Sequence, residues 1–196
     1  MANTQAQFGF QHFGFLPGGS ADYQLSKYQI RSAFASAIYF GDPVVKSATS
    51  QYITLATGTG NVTALVGIFQ GCQYTPVGGT PVWSPWWPGV SAAADATAYV
   101  VDAPNAIFRA AALLTAVPAT AIGALIGYST GAGGTTVGGG FSTYTVDQAT
   151  LSATSGAFTV VGLYPGVGNG SDATTNYNWV IVGFANQRYR VTTGVL

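Results

Sequence analysis

Ala98-Tyr99-Val100-Val101-Asp102-Ala103-Pro104-Asn105-Ala106-Ile107-Phe108-Arg109-Ala110 reads as two short strands with a four-residue turn between them. β-branched and aromatic side chains fill the flanks. Asp, Pro and Asn supply the turn, because they bond back to the local backbone or pre-set its dihedrals. The same pattern recurs in both directions. Apolar segments stand at residues 23–31, 35–40, 44–45, 52–56 and 64–71 on one side, and at 121–128, 141–146, 157–164, 178–185 and 188–192 on the other. Gly41-Asp42-Pro43 makes a corner: glycine tolerates positive φ, Asp42 can bond back to nearby backbone, and the proline holds Asp42 extended. Arg188 and Arg190 lie two apart, hence on one face of the final strand.

Glutamate is absent and Met, Lys and Arg are scarce, so the good helix formers are nearly missing, whereas 27 glycines and 9 prolines punctuate the apolar segments. The expected fold class is all-β: an antiparallel β-sandwich, jelly roll or β-barrel, with neighbouring strands paired through tight turns. The expected organisation is an extended N-terminal arm over residues 1–20 and a single domain over 21–196. There is no internal repeat of 20–50 residues.

Charge is the compositional outlier. Only 6% of residues are charged and 48% are hydrophobic, against about 25% charged in an average soluble domain. A neutral exterior favours association with other surfaces. Disorder is excluded, since it needs low hydrophobicity and high net charge. Six scattered cations balanced by six anions leave no basic stripe, so no nucleic-acid partner is expected. Residues 1–10 lack a basic region followed by an apolar stretch, so no secretory signal is expected. Without secretion, the sequons at Asn61-Val62-Thr63 and Asn169-Gly170-Ser171 carry little meaning. The uncharged run between Ala110 and Asp147 is interrupted by Pro118, Gly123 and Gly127 and diluted by Ser and Thr. A buried β segment is expected there, and no membrane span.

Residues suited to chemistry are dispersed. The six aspartates stand singly and fit turn and cap roles, His12 is the only histidine, and no serine elbow accompanies it. Cys72 lies in an apolar run with no histidine near it in sequence, which predicts a buried, inert thiol. Ligand sets for zinc or calcium are missing, so neither metal nor cofactor is expected. The glycine loop at residues 131–140 lacks the lysine of a phosphate cradle and reads as a surface loop. The chain is therefore read as non-enzymatic.

Two segments stand out as candidate interfaces. Phe8-Gly9-Phe10-Gln11-His12-Phe13-Gly14-Phe15 alternates large rings with glycine. Such a segment orders only by docking, either on its own domain as an edge strand or on a neighbouring subunit, with Phe8, Phe10, Phe13 and Phe15 as anchors. Trp83-Ser84-Pro85-Trp86-Trp87-Pro88-Gly89 holds Trp83, Trp86 and Trp87 on a stiff backbone. It suits core packing, a protein interface or a sugar-stacking shelf.

Tyr28-Gln29-Ile30 followed by Ala37-Ile38-Tyr39-Phe40-Gly41-Asp42-Pro43-Val44 resembles the opening strand pair of capsid decoration, or cement, proteins of tailed bacteriophages. The order continues with Leu65-Val66-Gly67-Ile68-Phe69-Gln70-Gly71, then with residues 99–108, Val161-Gly162-Leu163-Tyr164-Pro165 and residues 178–186. The resemblance covers about residues 23–190. It implies a jelly-roll-like virion protein, made in the host cytoplasm and placed on the capsid exterior, where it bridges subunits of the major capsid protein. It implies no active site. Self-association as a homodimer or homotrimer is expected from the symmetry axes of a shell. The Phe/Gly beginning and the Trp-Pro cluster depart from the pattern. The other class left open is a carbohydrate-binding β-sandwich on a virion surface.

Overall fold

The computed structural model describes residues 2–6, 8–17, 24–57, 64–89, 92–130 and 142–188. The glycine loop at 131–140, the sequon at Asn61 and the segment 189–196 containing Arg190 lie outside them. The described residues form twelve strands and one 3₁₀ turn, with no α-helix. In order the strands are β1 (Gln11–Phe15), β2 (Ser26–Ile30), β3 (Pro43–Lys46), β4 (Ile53–Leu55), β5 (Leu65–Tyr74) and β6 (Val82–Ser84). Then follow β7 (Ala96–Val101), β8 (Ala106–Ala111), the 3₁₀ turn Ala119–Ala121, β9 (Leu125–Ser129), β10 (Thr145–Ser152), β11 (Phe158–Leu163) and β12 (Trp179–Phe184).

They make two antiparallel sheets packed as a sandwich. The front sheet runs β1-β8-β12-β11-β9-β10 and the back sheet β2-β7-β5-β3-β4, with β6 also on β5. β10 reaches the end of β8 through one parallel bridge between Ala112 and Val146, and a single bridge does not close a barrel. Chain order is nearly sheet order. Strands β2 to β7 build the back sheet, β8 to β12 the front sheet, and only β1 crosses, to lie beside β8.

The turn at Asp102 is therefore not a hairpin. Tight-turn pairing of its two flanks is corrected here: β7 pairs with β2 and β5, while β8 pairs with β1 and β12. The reason lies in what holds the corner. Ser26 Oγ and Tyr28 Oη donate to the two Asp102 carboxylate oxygens at 2.8 and 2.6 Å, and Gln187 Nε2 donates to the Asp102 carbonyl at 2.6 Å. These partners come from the back-sheet edge and from the chain just beyond β12. Together they turn residues 102–105 from one layer into the other.

Leu65-Val66-Gly67-Ile68-Phe69 is a continuous apolar run and is buried on both faces. Leu65 and Ile68 enter the core between the sheets with Phe108, Phe158, Val160, Val182 and Phe184. Val66, Phe69 and Cys72 point the other way, into a second core with Ile30, Ile38, Val44 and Trp87. The covering layer of that second core is the irregular chain around Ile38 and Trp87, whose backbones exchange hydrogen bonds at 3.1 and 2.8 Å. Residues 35–40, expected as a strand, form only this bridge and one at Phe40. The described part of the run between Ala110 and Asp147 forms the end of β8, the 3₁₀ turn, β9 and the start of β10. No described helix is long and apolar enough to cross a membrane.

Gly67 marks the tightest point of β5, since a Cβ there would collide with the Val101 carbonyl and the Val100 side chain. By contrast, a Cβ on Gly162 in β11 meets open space. Gly67→Ala is expected to lower stability by roughly 1–3 kcal/mol, and Gly162→Ala to change it by less than about 0.5 kcal/mol. Urea unfolding midpoints of the two variants check the contrast.

Candidate functional site

The Phe/Gly segment lies along its own domain. β1 pairs with β8, Gln11 opposite Arg109 and Phe15 opposite Ala106, with a bulge between His12 and Gly14. Phe10 is fully buried in the main core, stacked on Phe158 with centroids 4.5 Å apart. Phe15 packs against the same core. Phe10 and Phe15 thus pack on this chain's own interior, Phe15 only partly buried, and Phe13, 47% exposed at the bulge, is the most exposed of the four rings. The first residues are held as well. Asn3 donates through Nδ2 to the Asp172 carbonyl at 2.8 Å and accepts the Gly170 amide on Oδ1 at 2.9 Å, and Thr4 N–H donates to Asn169 Oδ1 at 2.7 Å. The side chain of the second sequon is occupied in this way.

Phe8 leads to a cluster that the sequence does not announce. Its ring meets Trp179 edge-on at 5.0 Å, and both flank the Arg109 guanidinium, at 5.0 and 4.7 Å respectively. Tyr164 stands 5.4 Å away on the same group, and Arg109 Nη2 donates to Gln11 Oε1. Four ring and cation partners numbered 8, 109, 164 and 179 share no local motif. The available signal is a lone cation inside the apolar strand Ile107-Phe108-Arg109-Ala110. Cation–π contacts of this kind contribute about 0.5–2 kcal/mol each, so the cluster fastens the N-terminal segment to β8 and β12.

The three tryptophans separate into three environments. Trp87 is fully buried, donates Nε1–H to the Phe34 carbonyl at 2.9 Å and meets Tyr74 edge-on at 5.4 Å. It is core, and unavailable as a contact. Trp86 is half-buried in a near-parallel stack on Tyr39, 5.6 Å apart and 9° between planes. Trp83, on the short strand β6, is 64% exposed and lies over Gly71. Trp86 thus finds its coplanar partner in Tyr39.

The remaining exposed large apolar side chains are Leu25, Val77, Val82, Leu114, Ile122 and Val167. Val77, Val82 and Trp83 belong to one hairpin, β5–β6, whose tip Pro76-Val77-Gly78-Gly79-Thr80-Pro81 carries no charge. This hairpin and the Phe13 bulge are the two apolar projections of the fold that contain residues singled out from sequence.

The aspartates close turns and tie distant segments together. Asp95 accepts the Tyr52 hydroxyl at 2.6 Å and the Ser32 amide at 2.9 Å, Asp147 accepts the Ala149 amide, and Asp172 accepts the amide and hydroxyl of Thr174. Those hydrogen bonds hold the Asp95 and Asp172 carboxyls below the usual range. Burial pushes the Cys72 thiol up to about 12, which leaves it protonated and unreactive at neutral pH. Among the described residues no three His, Cys or Asp side chains gather as a metal site. Comparison with known proteins finds no match: no family model, no curated protein and no solved structure is similar to this chain.

Phe10→Ala is expected to cost about 3–5 kcal/mol because it opens a cavity beside Phe158, whereas Trp83→Ala is expected to cost less than about 1 kcal/mol. Thermal and urea unfolding of the two variants separate the buried ring from the exposed one.

Proposed function

We propose that this chain is a non-enzymatic structural virion protein, one that decorates the outside of a phage capsid and stabilises it by bridging major capsid protein subunits. The observation that carries the reading is the pairing of exposed apolar projections, Trp83 with Val77 and Val82 on one hairpin and Phe13 on the β1 bulge, with a chain of which only 6% of residues are charged. Aromatic anchors surrounded by neutral surface are what a protein–protein contact uses. Repetition by shell symmetry lets an interface on the order of 1,000 Å² per copy act collectively. The ordered resemblance of strand and turn motifs over residues 23–190 agrees with this reading, and the proposal includes self-association as a dimer or trimer on a symmetry axis.

Particles lacking the protein are expected to lose their genome at a lower temperature than complete particles, and adding back the parent chain to restore them. Trp83→Ser and Phe13→Ser together are expected to abolish that rescue while leaving the free protein's melting temperature within about 2 °C, as for surface changes of under 0.5 kcal/mol. Equal melting of particles with and without the protein refutes the proposal. One observation favours a second reading, carbohydrate binding: the exposed Trp83 ring can serve as a sugar-stacking face. Glycan titration of the parent and Trp83→Ala proteins decides it, because equal absence of binding removes that reading.

A further inference from the structure

Gly41-Asp42-Pro43 is both a corner of the back sheet and the seat of the N-terminal segment. Phe10 N–H donates to the Gly41 carbonyl at 2.9 Å, and Gly41 N–H donates to the Phe69 carbonyl at 2.8 Å. Phe69 N–H donates in turn to the Asp42 carbonyl at 2.9 Å. Gly41 and Gly9, with φ of +89° and +69°, lie face to face: a Cβ on Gly41 would stand 3.1 Å from Phe10 N and Phe8 O. A Cβ on Gly9 would collide with the Ser142 side chain. Residues 8–10 and Ser142 therefore close over the corner.

Beneath that cover lies the Asp42 carboxyl, 2% exposed. Oδ2 accepts the Tyr39 amide at 2.7 Å, the bond expected of this turn, and the nearby Ser142 side chain also favours the charged form. Oδ1 has no partner. No cation figures among the influences on the group. The N-terminal segment contributes Phe8, Gly9 and Phe10, none titratable, and the 142–144 segment contributes only the Tyr144 phenol, which donates to the Ala56 carbonyl. Tyr128 stands behind Tyr144, with rings 5.7 Å apart. Burial raises both phenols, so neither is charged near neutral pH. A carboxylate in this position would be an unpaired buried charge, which is costly in any protein interior.

We propose that Asp42 is a proton-operated latch: its neutral form keeps residues 8–15 docked on the front sheet, and its ionisation favours their release from β8 while the rest of the sandwich stays folded. Burial, only partly offset by Ser142 and Tyr39, raises the carboxyl from 3.8 to about 7 in the docked state. The sign follows from proton linkage. The docked state holds a proton that the released, solvated carboxyl gives up, so docking is strongest below about pH 4, weakens through about pH 7 and is level above that. Between pH 5.5 and 8.5 the opening equilibrium is expected to rise on the order of thirtyfold.

Amide hydrogen exchange reads this directly, after correction for the intrinsic pH dependence of exchange. In the parent protein, protection of Phe10 N–H and the β1 amides is expected to fall on the order of thirtyfold from pH 5.5 to 8.5 and to stay below that of the β12 amides at every pH, because β1 opens while the rest of the sandwich stays folded. In Asp42→Asn, which can still accept the Tyr39 amide, β1 protection is expected to be independent of pH. Asp42→Ser provides the same non-titrating control if the asparagine chain does not fold. Equal pH dependence in parent and variant overturns the latch, as does protection of the β1 amides equal in size to that of the β12 amides across the pH range, which would signify that β1 opens only in global unfolding.

Discussion

Asp102 sets the architecture by deciding where the chain changes layers. A strand pair separated by four residues would ordinarily close as a hairpin, and one sheet would then continue through residues 96–111. Instead the carboxylate takes two hydroxyls from β2 and the carbonyl takes Gln187 from beyond β12, so the corner is fixed to the first back-sheet strand and to the end of the last front-sheet strand. Once the chain crosses there, residues 26–101 are committed to the back sheet and residues 106–184 to the front. Leu65 reinforces the junction: its N–H donates to the Asn186 carbonyl at 3.0 Å, and its carbonyl accepts the Arg188 amide at 2.8 Å. The central strand of one sheet is thereby bound to the tail of the other.

This layout explains how a chain with so little charge builds its interior. The centre of the back sheet, β5 from Leu65 to Phe69, is buried on both faces, by the front sheet on one side and by the Ile38 and Trp87 segments on the other. Two aromatic-rich cores result, the first around Phe10, Phe108, Phe158 and Phe184 and the second around Phe69 and Trp87. The aspartates close turns and tie strands, and the one cation inside the front sheet, Arg109, is absorbed by aromatic faces. Among the described residues, half of the exposed large apolar side chains lie at two projections, the β5–β6 hairpin and the β1 bulge.

Strand positions were legible wherever a strand is apolar along its length. β5, β7, β8, β11 and β12 fall within about two residues of the apolar segments at 64–71, 98–101, 106–110, 157–164 and 178–185, apart from the longer C-terminal end of β5. Those that were not legible have physical reasons. β10 continues through Asp147-Gln148-Ala149-Thr150 because it is an edge strand whose one ladder is with β9 and whose bridge to β8 lies at Val146, so polar side chains are tolerated beyond that point. β6 lies in a Pro/Trp stretch whose composition points to a turn, yet three residues suffice to pair with β5. Among candidate contacts, sequence could identify the two aromatic segments but not assign individual rings. Trp86 and Trp87 are adjacent, and one is half-exposed while the other is fully buried, a difference set by tertiary partners at Tyr39, Phe34 and Tyr74. The Arg109 cluster was illegible for the same reason, since its members meet only after both ends of the chain have folded together.

That last point bears on how the protein is made. β8 lies between β1, the first strand, and β12, the last, and Phe10 stacks on a ring numbered 158. During synthesis the first phenylalanines leave the ribosome about 150 residues ahead of their partner, which at roughly 5–20 residues per second means about 7–30 seconds without it. The back sheet can pair its strands in that interval, but the N-terminal rings cannot be buried in the native core. A nascent chain of this kind carries an unpartnered apolar segment until residue 158 has been made, and it is there that chaperones, or the same segment on a neighbouring nascent chain, have a long opportunity to bind.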